Sequence, residues 1–230
     1  MAATDLADIH LPTDVVAELQ ATDPMQWIFK HEISVNRRWW VDELTKYGLA
    51  DTILGDNISR GDIFELAQSA LEDPSAALTL LWNSLAWGSG DSLRNNRARI
   101  ASIAADPDFA GTLLQEAAGL SRTDPRAAYD LLRPNSKTAI SDLGPAFFTK
   151  YLYFAGGGRA DHRSCILDRN VAASLNRTCG WATLPIEGAW LASAYERYAL
   201  LLDRWAVEHR LPRHDVIERW LFEDGKAIKQ

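Results

Sequence analysis

The chain of 230 residues is 47% apolar and 24% charged, with a net charge of −7; this balance excludes a disordered chain and fits one domain, or two lobes around a shared core. The acidic total argues against non-specific nucleic-acid binding by the whole surface. Two cysteines without a CxxC pair argue against a disulfide scaffold and make reducing cytoplasm the default, while MAATDLADIHL and the rest of the chain offer neither a secretory signal nor an 18-residue apolar run.

Taken in order, nearly every element carries helical signals. TDVVAELQ (13–20) opens on a Thr cap, and NRRWWVDELTKYG (36–48) ends on a C-cap glycine. SRGDIFELAQSALEDP (59–74) reads as one helix from Ser to Pro. PSAALTLLWNSLAWG (74–88) has Pro in its first turn. DSLRNNRARIASIAAD (91–106) and DPDFAGTLLQEAAG (106–119) are each opened by Asp, and DPRAAYDLLRP (124–134) lies between prolines. NSKTAISD, an LGP turn and AFFTKYLYFAGGG follow, then DRNVAASLNRTCG (168–180), EGAWLASAYERYALLLDRWAVEHR (187–210) and PRHDVIERWLFED (212–224). No run alternates as a strand does. The fold class is therefore all-α, about a dozen helices, with residues 1–230 forming a single unit of two packed helical lobes. Nine tryptophans fit a thick core plus a stacking surface, although core packing alone suffices for most of them.

Charge is uneven. Between Arg133 and Gly180 there are seven Lys/Arg against three Asp, a local +4, while the remainder carries −11. Within this segment, 136–155 reads as helix, tight turn, helix. Gly144 is read as giving the turn its freedom, and Pro145 suits a first helical position. The free N–H groups at that helix start can face a phosphate. Phe147, Lys150, Tyr151 and Phe154 fall on one helical face. A lysine there either lays its stem on the aromatics with its head in water, or is desolvated toward the neutral, nucleophilic amine. Eighteen residues on, in segment 164–180, Asp168 follows CIL and opens a helix. It is either a plain N-cap or a fixed carboxylate for charge stabilisation and proton handling. Gly156-Gly157-Gly158 between them reads as a flexible loop.

Helix, LGP turn, lysine helix, Gly-rich loop and apolar-Asp-x-Asn-Val resemble the helix-hairpin-helix DNA glycosylases, nearest the compact prokaryotic 8-oxoguanine DNA glycosylases. The motif spans about 40 residues of the chain. The family hairpin reads apolar-Pro-Gly-apolar-Gly. Ile140, Ser141, Asp142, Leu143 and Gly144 stand at those places, so Asp142 replaces the first glycine. In the eukaryotic type the lysine sits at the position of Ala146; Lys150 is one turn later on the same face. The resemblance implies a two-lobed helical fold with an interlobe active site, base flipping, attack by Lys150 on the sugar, support from Asp168, and AP-lyase activity. It implies contacts of Leu143, Gly144, Ala146, Lys137, Arg163 and Arg169 with double-stranded DNA, a base pocket including Trp87 and Phe147, and a monovalent cation on the hairpin as the sole cofactor. The expected substrate is 8-oxoguanine. Other modified bases, including those of invading phage DNA, a monofunctional enzyme using Asp168 and water, and a non-catalytic DNA-binding hairpin remain open.

Elsewhere, Trp87 beside WGSG offers an aromatic face for a flipped base or for the core. Arg94, Arg97 and Arg99 follow as phosphate contacts or solvated charges. Arg37, Arg38, Trp39 and Trp40 form a second aromatic-basic cluster. HEISV (31–35) is not HExxH, and His209 and His214 lack a ligand pattern, so no catalytic metal is assigned. The expected protein is a monomer of the bacterial cytoplasm without membrane contact.

Overall fold

The computed structural model describes residues 5–93 and 95–228, and statements of absence below concern those residues. The fold is all-α. Its helices are α1 (Thr13–Ala21), α2 (Arg37–Lys46), α3 (Arg60–Phe64), α4 (Ala67–Glu72), α5 (Pro74–Ser89), α6 (Asn96–Ala104), α7 (Pro107–Ser121), α8 (Pro125–Leu132), α9 (Pro145–Phe154), α10 (Arg169–Arg177), α11 (Ala192–Glu208) and α12 (Asp215–Ala227). Asp73, Asp106 and Asp124 accept from backbone N–H groups ahead of a first-turn proline, so these three act as caps, whereas the expected Thr13 cap is the first residue of α1, behind Pro12, with no side-chain cap bond.

Four local readings change. First, a two-stranded antiparallel sheet pairs β1 (Glu32–Ser34) with β2 (Asn57–Ser59), Ile33 opposite Ile58. Three-residue strands are too short to show alternation. Second, 59–74 is two helices. Ser59 and Asp62 form a capping box, and the chain then tightens where Leu66 N–H reaches back to Ile63 O at 3.1 Å. Third, Asp91 caps nothing: Gly90 (φ 54) closes α5 and a left-handed Asn95 (φ 64) precedes α6. Fourth, 137–143 is not helical. Pro134 drives Arg133 to φ −140 and stops α8. Asn135, Ser136 and Asp142 all have positive φ, which no helix accommodates.

α5, α7, α8 and α9 pack on one another, while α10 packs on α12 and α11 bridges α8 and α12. The extended segment from Ser164 to Leu167 runs between these groups and is buried. Side chains from α9 and α11 take up part of its buried backbone, as burial favours. Thr149 Oγ1 accepts from Leu167 N–H at 3.1 Å, and the hydroxyls of Tyr195 and Tyr198 donate to the carbonyls of Cys165 and Ile166. This clamp fixes where α10 begins. All nine tryptophans lie in the hydrophobic core or against it, so core packing absorbs the excess. The two cysteines are free and buried. The Gly156–Gly158 triplet is a packed turn, not a loose loop: a Cβ at Gly156 would lie 2.2 Å from the ring of His162. No helix is long and apolar enough to cross a membrane.

Candidate active site

α9 is buried almost all round, and Lys150 on it is only 6% exposed. Its ammonium donates to Ala146 O at 2.8 Å and to Asp168 Oδ2 at 3.1 Å. Asp168 divides its oxygens between two tasks. Oδ1 caps α10 by accepting from Asn170 N–H at 2.9 Å and Val171 N–H at 3.2 Å, which leaves Oδ2 for the lysine. The helix start favours the negative charge, and the cap holds the carboxylate in one orientation. Tyr151, expected beside Lys150, donates instead to Leu114 O on α7, and Phe154 meets Trp87 edge-on at 5.3 Å. The lysine stem lies on Gly88 of α5, where a Cβ would sit 2.6 Å from Cδ and 3.0 Å from Cε.

Lys150 and Asp168 border two cavities. One, of about 210 Å³, is lined with them by His31, Ile33, Arg60, Trp87, Glu218 and Phe222, among others. The other, of about 170 Å³, adds Ala146, Phe147, Arg169 and Asn170. The structure thus brings Trp87 to the first cavity and Phe147, Ala146 and Arg169 to the second. The Phe147 ring lies under the guanidinium of Arg99 at 3.6 Å. One face of Trp87 is shared with Arg60, 5.1 Å from the ring centroid.

The hairpin differs from its reading. Gly144 has φ −77 and ψ 170, extended backbone that any residue adopts, and a Cβ there would meet open space. The left-handed residue is Asp142 (φ 62), whose side chain accepts from Ser102 Oγ at 3.1 Å. The N–H groups of Gly144 and Ala146 carry no backbone hydrogen bond, while Leu143 donates to Ile140 O. The Asp142 carbonyl accepts from Arg99 Nε at 3.2 Å. The Ile140 and Asp142 carbonyls thus each accept a hydrogen bond within the chain. No group of three or more His, Cys, Asp or Glu side chains is arranged for a metal among the described residues.

The local positive charge is largely paired. Arg169 meets Glu187 at 3.0 Å, Arg163 meets Asp203 at 2.7 Å, and Arg159 meets Asp161. Arg163 lines depressions formed by α11 residues, not either of the two cavities. Lys137 is exposed and borders neither. Arg97 pairs with Glu43, and Arg94 lies outside the described residues. In the second aromatic cluster Trp40 is fully buried and Trp39 packs on its edge.

Sequence reasoning missed Arg60, Glu218, His31 and Gly88. Arg60 NH1 donates to Glu218 Oε2 at 2.8 Å and to Tyr153 OH at 3.0 Å, and both members of the ion pair are 1% exposed. Tyr153 donates on to Asp215, which Arg213 grips with two nitrogens. Burial pushes the Glu218 carboxyl above its usual range, and Arg60 opposes this; the permanently charged guanidinium keeps the pair ionic. Burial, reinforced by Arg60, lowers His31 to about 3, so its ring is neutral at physiological pH. No local pattern flags these residues, which come from three helices and the residue just before β1.

No curated protein and no solved structure matches the chain. A family model described as "Putative 8-oxoguanine DNA glycosylase OGG-like protein" matches residues 26–222. That span takes in β1, the hairpin, Lys150, Asp168 and the Arg60–Glu218 pair, and the chain therefore belongs to the OGG-like family of DNA glycosylases.

Proposed function

We propose that the chain excises a damaged or modified base, 8-oxoguanine first among them, from duplex DNA, with Lys150 as nucleophile and Asp168 as its proton partner. The observation that carries this reading is the 3.1 Å contact between Lys150 Nζ and Asp168 Oδ2, two nearly buried groups at the meeting of two cavities. The target nucleotide swings out of the stack into the space between the α5/α7/α8/α9 group and the α10/α12 group, which act as two lobes of one unit. The free N–H groups of Gly144 and Ala146 at the start of α9 meet a phosphate, aided by the helix dipole. Arg169 exchanges Glu187 for a second one.

The chemistry balances within the pair. Asp168 takes a proton from the ammonium through the existing hydrogen bond. The freed lone pair of Nζ forms a bond to the sugar C1′ as the bond from C1′ to the base nitrogen breaks. The base leaves with that electron pair and receives the proton from Asp168, which is again a carboxylate facing the cationic sugar. As the C1′–O4′ bond breaks, the Asp168 carboxylate carries one Nζ proton to O4′, which leaves an iminium (Schiff base) on Lys150; Asp168 then takes the C2′ proton while the C3′–O bond breaks and the 3′ phosphate leaves with its electron pair, which nicks the strand.

The test is base release and borohydride trapping on a duplex carrying 8-oxoguanine. A covalent adduct abolished by Lys150→Ala supports the reading. Base release that needs Asp168 but gives no adduct replaces lysine attack with water attack. No release from any oxidised, alkylated or hypermodified duplex overturns it.

A further inference from the structure

We infer that the buried Arg60–Glu218 pair reads the hydrogen-bonding edge of the extruded base and selects bases that carry a lactam, an N–H beside a C=O. The inference rests on the glycosylase reading above and adds the element that recognises the base.

A fully buried ion pair is a poor means of stabilising a fold, because desolvation offsets most of the attraction and a well-packed apolar pair does as well or better. This pair is also only half satisfied. Glu218 Oε2 is bonded to Arg60 NH1, but Glu218 Oε1 and Arg60 Nε have no hydrogen-bond partner in the protein. His31 Nδ1 has none either. Buried polar atoms are nearly always paired. All three of these unpaired atoms belong to side chains lining the 210 Å³ cavity that Lys150 and Asp168 also border. The cavity is thus bordered by a carboxylate hydrogen-bonded to a guanidinium, each keeping one polar atom unpaired, with the neutral His31 ring as a third polar group. Trp87, Ile33 and Phe222 supply apolar surface for a flat ring.

The complement of an adjacent acceptor and donor is an adjacent N–H and C=O. 8-Oxoguanine and hypoxanthine present that edge. Ethenoadenine, a flat damaged purine, has no lactam N–H and would leave Oε1 desolvated and unpaired, a mismatch that polar sites reject strongly.

The test compares the wild-type chain with Glu218→Gln and with the double variant Arg60→Met, Glu218→Met. In Glu218→Gln the amide oxygen stays on Arg60, and an NH₂ donor replaces the free acceptor. The double variant removes the pair without stranding a charge. Two readouts are taken: single-turnover release of 8-oxoguanine, hypoxanthine and ethenoadenine, and affinity for a duplex carrying a tetrahydrofuran abasic analogue, which has no base to read. The expected result is release of both lactam bases and not of ethenoadenine by the wild type. Release by both variants falls about 10- to 100-fold, the loss of a hydrogen bond to a charged group, with abasic-duplex affinity kept within a factor of three or so. Undiminished release by either variant overturns the inference, as does loss of release and abasic binding in step, which would make the pair structural. Equal release of ethenoadenine by the wild type also overturns it. A wild type that releases no base and shows no preference for the abasic duplex refutes the glycosylase reading itself, which an isolated failure of base selection would not.

Discussion

Gly88→Ala isolates the position of the lysine from the stability of the fold. Gly88 lies in the last turn of α5, where alanine is favoured over glycine by up to about 1 kcal/mol, so the backbone tolerates the change. The added Cβ, however, would lie 2.6 Å from Lys150 Cδ and 3.0 Å from Cε, against about 3.5–4.0 Å for carbon atoms in contact. Lys150 must give way by about 1 Å, and its 2.8 Å and 3.1 Å bonds to Ala146 O and Asp168 Oδ2 stretch beyond hydrogen-bond range. A displacement of that size at a reacting group costs on the order of 100-fold in rate. In single-turnover assays on a lesion duplex, Gly88→Ala is expected to release base about 100-fold more slowly, with Tm within about 4 °C of wild type. Wild-type release by a folded Gly88→Ala variant refutes the argument that Gly88 seats the lysine. A collapse in Tm refutes the claim that only the lysine is crowded.

Asp168→Asn keeps an oxygen for the cap on α10 and loses the charge facing Lys150. Stability should fall by about 3 kcal/mol, because the nearly buried Lys150 ammonium loses its counter-charge, while base release drops about 100-fold or more; chemical denaturation and single-turnover rates check the two halves. His162 is 5% exposed, and burial lowers it to about 4. The native state therefore refuses a proton that the unfolded chain takes up below about pH 6.5, and stability falls as pH drops from there toward 4, by up to about 3 kcal/mol. Urea melts at pH 7.5 and 4.5 should show this loss, and an unchanged slope in His162→Asn would refute the assignment. Arg169→Ala should weaken duplex binding and reduce the salt dependence by about one counterion. Arg163→Ala, whose partner is Asp203 on another face, should do neither in the same titration.

The sequence by itself determined the class of fold, most helix starts, and the spacing that sets Lys150 and Asp168 eighteen residues apart. These rest on short-range physics: a side-chain cap, a proline in a first turn, a 3.6-residue period. The same physics explains the local misreadings, since Pro134 acting on Arg133 stops α8, positive φ at Ser136 and Asp142 breaks the helical look of 137–143, and left-handed Asp142, not Gly144, makes the turn. Only the tertiary structure decided what surrounds the lysine. His31, just before β1, and Arg60, Gly88 and Glu218, on three helices, are spread over nearly the whole chain. Their shared cavity exists because helix packing brings α3, α5, α9 and α12 together. No spacing along the chain encodes a contact closed by burial, nor which arginines the fold pairs with acids before any DNA arrives.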